Sequence, residues 1–370
     1  MTPGTSGPLV ATALDLPAGS PGGSVELFLD LYTGPQPLIP ARPFMLAPTG
    51  RRPRKPAGLE LLPVVGKCLD GPAFHRYVAV LQRAITDAIA PATIGVLHVQ
   101  HLTFGAAPAL LRALPGHPSI ALVHGTDLIF AAANRHQHQV LTDTTRHADA
   151  IVVPTTAMAD RLLQIAPNTD RTKIHHIPWG VPDQLLARPP RRSPRTPGGP
   201  FRLLYAGRLT PEKGVENLLR ALAAVTGVEL SIAAPHDQFH TLAPALRASG
   251  VKIRYLGWLR RPQLWRSFAD HDLLVMPSTT LEAMGLVALE AQARGLPVLY
   301  QPVPGLADTL AASGTATDFT RPAALARDID RLRTTPGLLP ALRQAGRSNA
   351  ARYRLSATAK ALTELGHRIS

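Results

Sequence analysis

Residues 273–300 read LLVMPSTTLEAMGLVALEAQARGLPVLY and contain a complete β–α–β unit. A short apolar strand over residues 273–276 leads into a polar loop, a helix that begins near Gly285, and a second apolar strand over residues 297–299. Strands that are apolar at nearly every position are typical of parallel sheets covered by helices on both faces. This stretch therefore predicts an α/β fold built on a doubly wound parallel sheet.

The same alternation of strands and helices continues in both directions along the chain. Short apolar runs predict strands over residues 9–16, 44–46, 59–65, 94–99, 120–123, 150–153, 174–177, 201–206, 228–233 and 251–256. The spacing of apolar residues predicts helices over residues 25–32, 76–90, 106–114, 127–147, 157–165 and about 322–369.

A proline-rich segment, RPPRRSPRTPGGP at residues 188–200, interrupts the alternation and fits an interdomain linker. We therefore expect one Rossmann-like domain over residues 1–187 and a second over residues 201–340. A helical tail over residues 341–370 can pack back onto the first domain. Two doubly wound domains of similar size are expected to place a ligand cleft between them, at the C-terminal ends of their strands.

The composition limits the classes of function. The chain has 370 residues, of which 45% are hydrophobic and 17% charged, so it can form two folded domains and is not a disordered chain. A net charge of +14 suggests nucleic acid or an anionic surface as a partner. However, three segments carry this charge: +5 in residues 31–59, +4 in residues 184–200 and +7 in residues 321–370. The remainder of the chain is slightly acidic. Because no nucleic-acid motif accompanies these segments, we expect no nucleic-acid partner.

The single cysteine, Cys68, excludes a disulfide framework and a cysteine-based zinc site. A lone thiol suggests a reducing compartment, and the N-terminus lacks the basic region of a signal peptide. No apolar run approaches the roughly 18 residues of a membrane span. These features predict a cytoplasmic protein without integral membrane contact; peripheral association and the oligomeric state stay open.

A first cluster of candidate site residues follows the predicted strand over residues 201–206 and reads YAGRLTPEKG at residues 205–214. Gly207 permits close approach of a ligand to the backbone. Arg208 presents a planar fork of donors, and Lys213 adds a point charge. An arginine fork together with a lysine suits a diphosphate group.

A second cluster lies in the opening stretch, where Glu282 falls in the loop and Glu290 falls in the helix. The helix N-terminus near Gly285 offers unpaired N–H groups and a positive dipole end to an anion. Glu290 could accept hydrogen bonds from both hydroxyls of a ribose, while Glu282 would face another part of the same ligand.

These two clusters resemble the motifs of a known enzyme family. Arg208 with Lys213, and the Glu282-x7-Glu290 pair followed by AQARGLPV, are similar to the family-4 retaining glycosyltransferases of the GT-B fold. Looser similarities in the expected order are PGGS at 21–24, VLHVQH at 96–101, LVHGTD at 122–127 and IPWGV at 177–181. The last segment departs from the family, with Trp179 where asparagine is usual and Pro182 where aspartate is usual.

The resemblance implies two Rossmann-like domains with parallel sheets facing across a cleft, and C-terminal helices. It makes residues 1–187 the acceptor-side domain and residues 201–340 the nucleotide-sugar-binding domain. It implies transfer of a hexose-type sugar from a nucleotide-diphospho-sugar, a UDP-sugar before a GDP-sugar, to an acceptor hydroxyl with retention of configuration. No cofactor and no metal are expected. The implied catalytic residues are His124, Arg208, Lys213 and Glu282.

The resemblance also implies binding roles. Arg208 and Lys213 would hold the diphosphate, and Glu290 the ribose. The full set of implied donor-binding residues is Gly22, Gly23, Gly207, Arg208, Lys213, Tyr255, Trp258, Glu282, Ala283, Met284, Gly285, Leu286 and Glu290. The acceptor-side candidates are His98, His101, Phe104 and Asp127.

Other interpretations stay open. The two glutamates could form a glycosidase acid/base pair, which needs facing carboxylates about 5–10 Å apart. The chain could be a GT-B sugar-nucleotide epimerase or a phosphorylase-like enzyme, or it could bind anionic surfaces through the basic loop 51–55 and the tail. Three pairs have metal-ligand spacing: Asp270/Asp272, Asp328/Asp330 and His136/His138. A helix-to-strand turn explains the first pair and ion pairs with neighbouring arginines explain the second. Metal binding at the third stays open but lacks further ligands, so we expect no metal site.

The acceptor is the least determined part of the function. Abundant Arg, Ala and Pro suggest a GC-rich bacterium, where natural-product glycosylation of the aminoglycoside type and envelope lipid or polysaccharide assembly are both plausible. We favour antibiotic or related biosynthesis with a small aminocyclitol or glycoside acceptor, because no amphipathic N-terminal membrane helix is evident. Glu26, Asp30 and Asp127 could then bind a cationic acceptor.

Overall fold

The computed structural model describes residues 8–48, 55–187, 192 and 198–370. The chain forms two compact units: a first unit of Met1–Pro178 with Ser356–Ser370, and a second unit of Trp179–Leu355. Most of the expected linker 188–200 and of the basic loop 51–55 lies outside the described residues. The chain therefore passes between the units twice, after Pro178 and after Leu355.

In the described part of the first unit, seven parallel strands form one sheet, in the order β3-β2-β1-β4-β5-β6-β7. The strands are β1 (Leu9–Pro17), β2 (Ala41–Leu46), β3 (Glu60–Leu62), β4 (Ile94–Gln100), β5 (Ser119–Leu122), β6 (Ala150–Val153) and β7 (Ile174–His176). The strand order reverses between β1 and β4, which is where ligands bind in open α/β sheets.

Helices connect these strands: α1 (Gly23–Tyr32), α2 (Gly71–Ala88), α3 (Ala106–Ala113), α4 (Thr126–Ala133), α5 (Arg135–His147) and α6 (Thr156–Ile165). On one face of the sheet, Phe74 and Val78 of α2 and Leu110 of α3 share a buried apolar cluster with Leu97 of β4. This packing fixes the C-terminal ends of β1 and β4 in place.

The prediction of one helix over residues 127–147 is wrong, because Asn134 divides the segment into α4 and α5. Asn134 has φ −136° and ψ 119°, outside the helical region. Its side-chain oxygen accepts hydrogen bonds from the backbone N–H groups of His136 at 2.9 Å and Gln137 at 3.0 Å. Asparagine is a favoured N-cap residue, so it starts a new helix within an otherwise continuous helical pattern.

Among the described residues of the second unit, six parallel strands form one sheet, in the order β10-β9-β8-β11-β12-β13. They are β8 (Phe201–Ala206), β9 (Val228–Ala233), β10 (Ile253–Tyr255), β11 (Leu273–Met276), β12 (Val298–Tyr300) and β13 (Thr315–Ala316). The helices are α7 (Asp183–Ala187), α8 (Val215–Leu222), α9 (His236–Ala248), α10 (Arg261–Ser267), α11 (Leu286–Ala293), α12 (Leu306–Leu310), α13 (Pro322–Thr334) and α14 (Leu338–Ala350). The strand order again reverses, here between β8 and β11.

The two doubly wound parallel sheets confirm the predicted fold class. Leu203 and Tyr205 of β8 and Leu230 of β9 lie in an apolar cluster on one face of the second sheet. Leu204 of β8 and Leu274 of β11 lie in a cluster on the other face. Burial on both faces explains why the strands read as continuous apolar runs.

The last helix, α15 (Leu355–Ile369), returns the chain to the first unit. Within the second unit, Val181 donates its N–H to the Tyr353 carbonyl at 2.9 Å, and Leu355 donates to the Val181 carbonyl at 3.0 Å. Within the first unit, the Thr358 hydroxyl donates to the Pro178 carbonyl at 2.7 Å. None of the helices in the described part of the chain has the length and apolar character needed to cross a bilayer.

Candidate active site

In the second unit, the loop after β8 carries Arg208 at the C-terminal edge of the sheet. The Tyr205 hydroxyl donates a hydrogen bond to the Arg208 carbonyl oxygen, which fixes the backbone at this point. The Arg208 guanidinium is partly exposed and lies 3.7 Å from the Glu212 carboxylate. Thr210 donates its hydroxyl to the same carboxylate at 2.6 Å. Glu212 thus supports Arg208 from one side, on a loop expected to bind a diphosphate.

Lys213 and Glu282 are brought together from separate loops. The Lys213 ammonium forms an ion pair with the Glu282 carboxylate, which also accepts the Ser278 hydroxyl at 2.7 Å. Glu282 is only 9% exposed. Burial is the largest influence and would raise the pKa of Glu282, but the charge and hydrogen bond of Lys213, together with the Ser278 hydroxyl, outweigh it and lower the pKa. Glu282 is therefore a carboxylate.

Close backbone contact holds the two loops together. Thr279 donates its N–H to the Glu212 carbonyl at 2.9 Å. Gly214 has φ +67°, and a Cβ there would lie 2.0 Å from the Pro277 carbonyl oxygen, so only glycine fits. The predicted diphosphate residues and Glu282 consequently form one cluster, which we call the Arg208–Lys213–Glu282 cluster.

A third loop, after β12, contacts the backbone of Glu282. Glu282 donates its N–H to the Pro304 carbonyl at 3.1 Å. Gly305 has φ +85°, and a Cβ there would lie 1.7 Å from the Glu282 carbonyl oxygen. Ser278 and Gly305 were not among the predicted site residues.

Helix α11 begins beside this cluster. Its N-cap, Gly285, has φ +66°, and a Cβ there would meet the Leu306 side chain at 2.4 Å. Met284 is buried, and its sulfur accepts the backbone N–H of Trp179 at 3.0 Å. Its side chain is thus used in packing within the second unit. Donor contacts of Ala283, Met284, Gly285 and Leu286 through backbone groups at this helix start stay a prediction.

Glu290 lies within α11 and is 5% exposed. Arg261 donates to its Oε1 through Nε at 3.0 Å and also through Nη2. Trp265 donates through Nε1 to Oε2 at 3.0 Å. Both partners come from α10 and were not predicted from the sequence. The carboxylate expected to bind ribose is therefore held by one neighbouring helix.

The residues expected near the nucleobase differ in exposure. The Tyr255 hydroxyl donates to the Ala234 carbonyl at 3.1 Å, and its ring stacks on Phe239 with centroids 3.8 Å apart. Trp258 is 41% exposed. Tyr255 thus packs against the sheet edge, whereas the Trp258 side chain can contact a ligand.

In the first unit, the loop after β1 ends at Gly22 with φ +151°, and α1 begins at Gly23. The Ser24 hydroxyl lies 3.0 Å from Nε2 of His101. The rings of His101 and His124 lie with centroids 4.5 Å apart. The glycine loop, the end of β4 and the loop after β5 therefore converge within the first unit.

Two of the predicted histidines are neutral: His98 is buried, and His124 is partly buried. The Nε2 atom of His124 lies 2.7 Å from Oε1 of Gln100, and burial lowers the pKa of His124 to about 3. His98 pairs with the Tyr32 hydroxyl at 2.7 Å, and burial likewise lowers the pKa of His98 to about 3. His98 is inaccessible within its unit, so its expected contact with an acceptor stays a prediction that its burial does not favour.

Asp127 is also fully buried. Its carboxylate accepts backbone N–H groups from Leu102 at 3.2 Å, from His124 at 3.2 Å and from Leu128 at 3.1 Å. Burial nevertheless raises the pKa of Asp127 to about 6. The carboxylate joins two loops, and this use does not favour its expected contact with an acceptor.

Phe104 is buried beneath the Lys67 ammonium, which lies 3.9 Å from the centre of its ring. Lys67 also pairs with Asp15 at 3.3 Å, and Asp15 accepts the Gly105 N–H at 3.0 Å. The sequence did not single out Asp15 and Lys67. Asp15 lies near the end of β1 and Lys67 in the segment after β3, so their nearness to strand ends was the available signal.

Among the described residues, no group of three or more His, Cys, Asp or Glu side chains is arranged to hold a metal ion. The expected ion pairs are present at Asp328 and Asp330. Asp328 pairs with Arg331 at 3.7 Å and Asp330 with Arg333 at 2.7 Å. His138 contacts the Ile165 carbonyl at 2.8 Å.

Comparison with known proteins gives the same enzyme class in both halves of the chain. Residues 42–185 match the family model described as "Glycosyltransferase Family 4", and residues 189–349 match "Glycosyl transferases group 1". D-inositol 3-phosphate glycosyltransferase 1 of Catenulispora acidiphila is 28% identical over 392 residues, covering 92% of this chain and 91% of that protein.

Two solved structures have the same fold. Sucrose-phosphate synthase from Thermosynechococcus elongatus has a TM-score of 0.79 at 18% identity, covering 98% of each chain. Anabaena HepE, solved in complex with UDP-glucose, has a TM-score of 0.74 at 16% identity, covering 96% of this chain and 98% of that one. With two glycosyltransferase family models matched in succession and two doubly wound parallel sheets, the chain is a glycosyltransferase of the GT-B fold.

Proposed function

We propose that this glycosyltransferase moves a hexose-type sugar from a nucleotide-diphospho-sugar to an acceptor hydroxyl, with retention of configuration and without a metal ion or cofactor. The Arg208–Lys213–Glu282 cluster carries the proposal, because it sets two cations beside the N-terminus of α11. A diphosphate leaving group needs such fixed positive groups where its charge develops. Glu290, in the same helix, is the proposed ribose ligand.

A UDP-sugar is the proposed donor, and a GDP-sugar is the second choice. The complex of Anabaena HepE with UDP-glucose supports this order, since that protein has the same fold. We propose a cytoplasmic location, which the lone thiol of Cys68 supports.

The proposed mechanism follows from the charges. The bond between C1 and the phosphate oxygen breaks, the acceptor oxygen bonds to C1 on the same face, and the acceptor proton passes to the departing phosphate oxygen. Arg208, Lys213 and the N–H groups of α11 stabilise the negative charge on the diphosphate. His124, whose pKa is lowered to about 3, acts as a neutral hydrogen-bonding group beside the transferred sugar and not as a nucleophile.

The first test compares Arg208→Ala and Glu290→Ala with the exposed control Arg220→Ala on α8. We expect both site variants to lose at least about tenfold in donor affinity and more in turnover, since each removes a charged hydrogen-bonding partner. The control should match the unaltered protein. Unchanged binding and turnover in both site variants would contradict the proposal.

Two further readouts test the finer claims. The anomeric configuration of the product, measured by NMR, should equal that of the donor. Activity should persist in EDTA. An inverted product, or activity lost in EDTA and restored by Mg²⁺, would overturn the retaining or the metal-independent part. Nucleotide release without any acceptor would favour an epimerase.

For the acceptor, we propose a small cyclitol or glycoside. The name of the Catenulispora relative supports a cyclitol acceptor. It also makes inositol 3-phosphate a candidate acceptor beside the aminocyclitols. A panel of inositol 3-phosphate, an aminocyclitol and a lipid-linked sugar, each with labelled UDP-glucose, separates the classes. Transfer to the lipid-linked sugar alone would favour envelope glycan assembly, and transfer to the aminocyclitol would favour natural-product biosynthesis.

A further inference from the structure

Helix α10 holds the carboxylate of Glu290 on both of its oxygens. Arg261, the first residue of α10, donates to Oε1 through Nε at 3.0 Å and through Nη2. Trp265, one turn later, donates to Oε2 at 3.0 Å. The Arg261 guanidinium also lies 5.1 Å from the centre of the Trp265 ring, so the two partners support each other.

The hydrogen-bond capacity of the carboxylate is therefore nearly filled. An ionised carboxylate offers about four lone-pair positions, two on each oxygen. Arg261 takes both positions on Oε1, and Trp265 takes one of the two on Oε2. A single position on Oε2 is left for a ligand. This differs from the expectation that Glu290 binds two ribose hydroxyls.

We infer that Arg261 and Trp265 are positioning residues that aim one acceptor position of Glu290 at one ribose hydroxyl of the donor nucleotide. The inference rests on the proposed function, because it takes Glu290 as the ribose ligand. It goes further in assigning the orientation of Glu290 to α10 and in limiting the contact to one hydroxyl.

The position of α10 in the chain connects two parts of nucleotide recognition. The segment from Tyr255 to Trp258, proposed to lie along the nucleobase, ends three residues before Arg261. The loop is fixed at the start of α10 by the Gln263 side chain, which accepts the Arg260 N–H at 3.1 Å. A displacement of this loop by the base would therefore be passed to Glu290 through Arg261.

The test uses UDP, 2′-deoxy-UDP and 3′-deoxy-UDP as probes, with affinities measured by calorimetry. The unaltered protein should lose about tenfold or more in affinity for one deoxy analogue, as expected for a hydrogen bond to a charged group, and under about threefold for the other. Equal large losses for both analogues would overturn the claim of a single hydroxyl.

The variants are Arg261→Met and Trp265→Phe, with Arg266→Met, an exposed arginine of the same helix, as the matched control. Each positioning variant should weaken UDP by about tenfold and leave the sensitive deoxy analogue almost unchanged, because that analogue already lacks the bond. The Arg266 variant should keep the full discrimination. Arg261→Lys should recover only part of it, since a lysine cannot form the fork.

The outcomes separate this inference from the proposed function. Should Arg261→Met and Trp265→Phe weaken all three nucleotides by one common factor, or none of them, the positioning role is refuted. Binding of inorganic pyrophosphate, which should be equal in all variants, reports the diphosphate site. Trp265→Phe keeps an aromatic ring and removes only the Nε1–H donor, so it provides the test where Arg261→Met fails to fold. A complete lack of nucleotide binding by the unaltered protein would refute the proposed function instead.

Discussion

The ammonium of Lys213 and the carboxylate of Glu282 form a largely buried ion pair that joins the loop after β8 to the loop after β11. Their side chains are 25% and 11% exposed. A pair so placed has two possible uses, since the lysine can neutralise the glutamate and can also bind an anionic ligand. The two uses can be separated by substitution.

Lys213→Met should lower the free energy of unfolding by about 3 kcal/mol, because it leaves a buried carboxylate without its cation. It should also weaken UDP binding at least about tenfold. The double variant Lys213→Met with Glu282→Gln should recover much of the stability, since replacing both charges of a buried pair is often neutral. Donor affinity should stay low. Recovery of both properties in the double variant would reduce Lys213 to a structural role. Urea unfolding and calorimetry provide the two measurements.

Gly305→Ala should displace Glu282, because the new Cβ would lie 1.7 Å from the Glu282 carbonyl oxygen. We expect a loss of about 3 kcal/mol in the free energy of unfolding, which combines the cost of a positive φ with overpacking. Gly337→Ala is the matched control, since Gly337 has φ +76° and nothing lies within 4 Å of its added Cβ. It should lose only about 1 kcal/mol and keep donor affinity. Equal effects of the two variants on donor affinity would refute the steric explanation.

Asp127 should give an unusual pH dependence of stability. Its pKa is raised from 3.8 to about 6, so the folded state holds a proton over a range in which the unfolded state has lost it. Stability should therefore fall as pH rises from about 4 to about 6 and then level off. The size should be on the order of 2 kcal/mol relative to Asp127→Asn. Urea unfolding of both proteins across this range measures it, and a constant difference between them would contradict the assignment.

His124 should be a neutral ring that carries its proton on Nε2. The Thr12 hydroxyl donates to the His98 carbonyl at 2.7 Å and accepts from the Gln100 amide nitrogen at 3.1 Å. The Gln100 oxygen therefore faces His124, and His124 must donate to it.

Nitrogen-15 NMR of imidazole-labelled protein should show this tautomer from pH 5 to 9, because burial lowers the pKa of His124 to about 3. Gln100→Leu removes the acceptor and should allow the other tautomer. A cationic ring at pH 6 in the unaltered protein would disprove the argument. Since the pKa is lowered, the stability due to the neutral ring should decline as pH falls below 6.5.

The strands of both sheets could be predicted because burial on two faces leaves a local trace in the sequence. Leu273–Met276 and Phe201–Ala206 match their predicted ranges, and the residues after them carry the Arg208–Lys213–Glu282 cluster. Parallel topology then brings strand ends to one edge, so separate motifs could be assigned to one site. The two-residue strand β13 was not predicted, since so short a segment has no periodicity.

The partners of the site residues could not be predicted in the same way. Arg261 and Trp265 are far from Glu290 in sequence and meet it only through the packing of α10 on α11. Burial of Asp127 and His98 likewise depends on the tertiary structure. A motif identifies the residue that can bind a ligand, but the number of its free hydrogen-bond positions is set by neighbours that the motif does not contain.

The two chain passages give the molecule the topology of an insertion. The second unit is one continuous segment whose ends, at Val181 and Arg354, are paired side by side, and the first unit resumes where Thr358 contacts Pro178. Neighbouring ends allow one domain to be exchanged without disturbing the chain path of its host. Recombination at these two points would give an existing first unit a new second unit in a single event. Truncation after the second unit, in contrast, would remove part of the first.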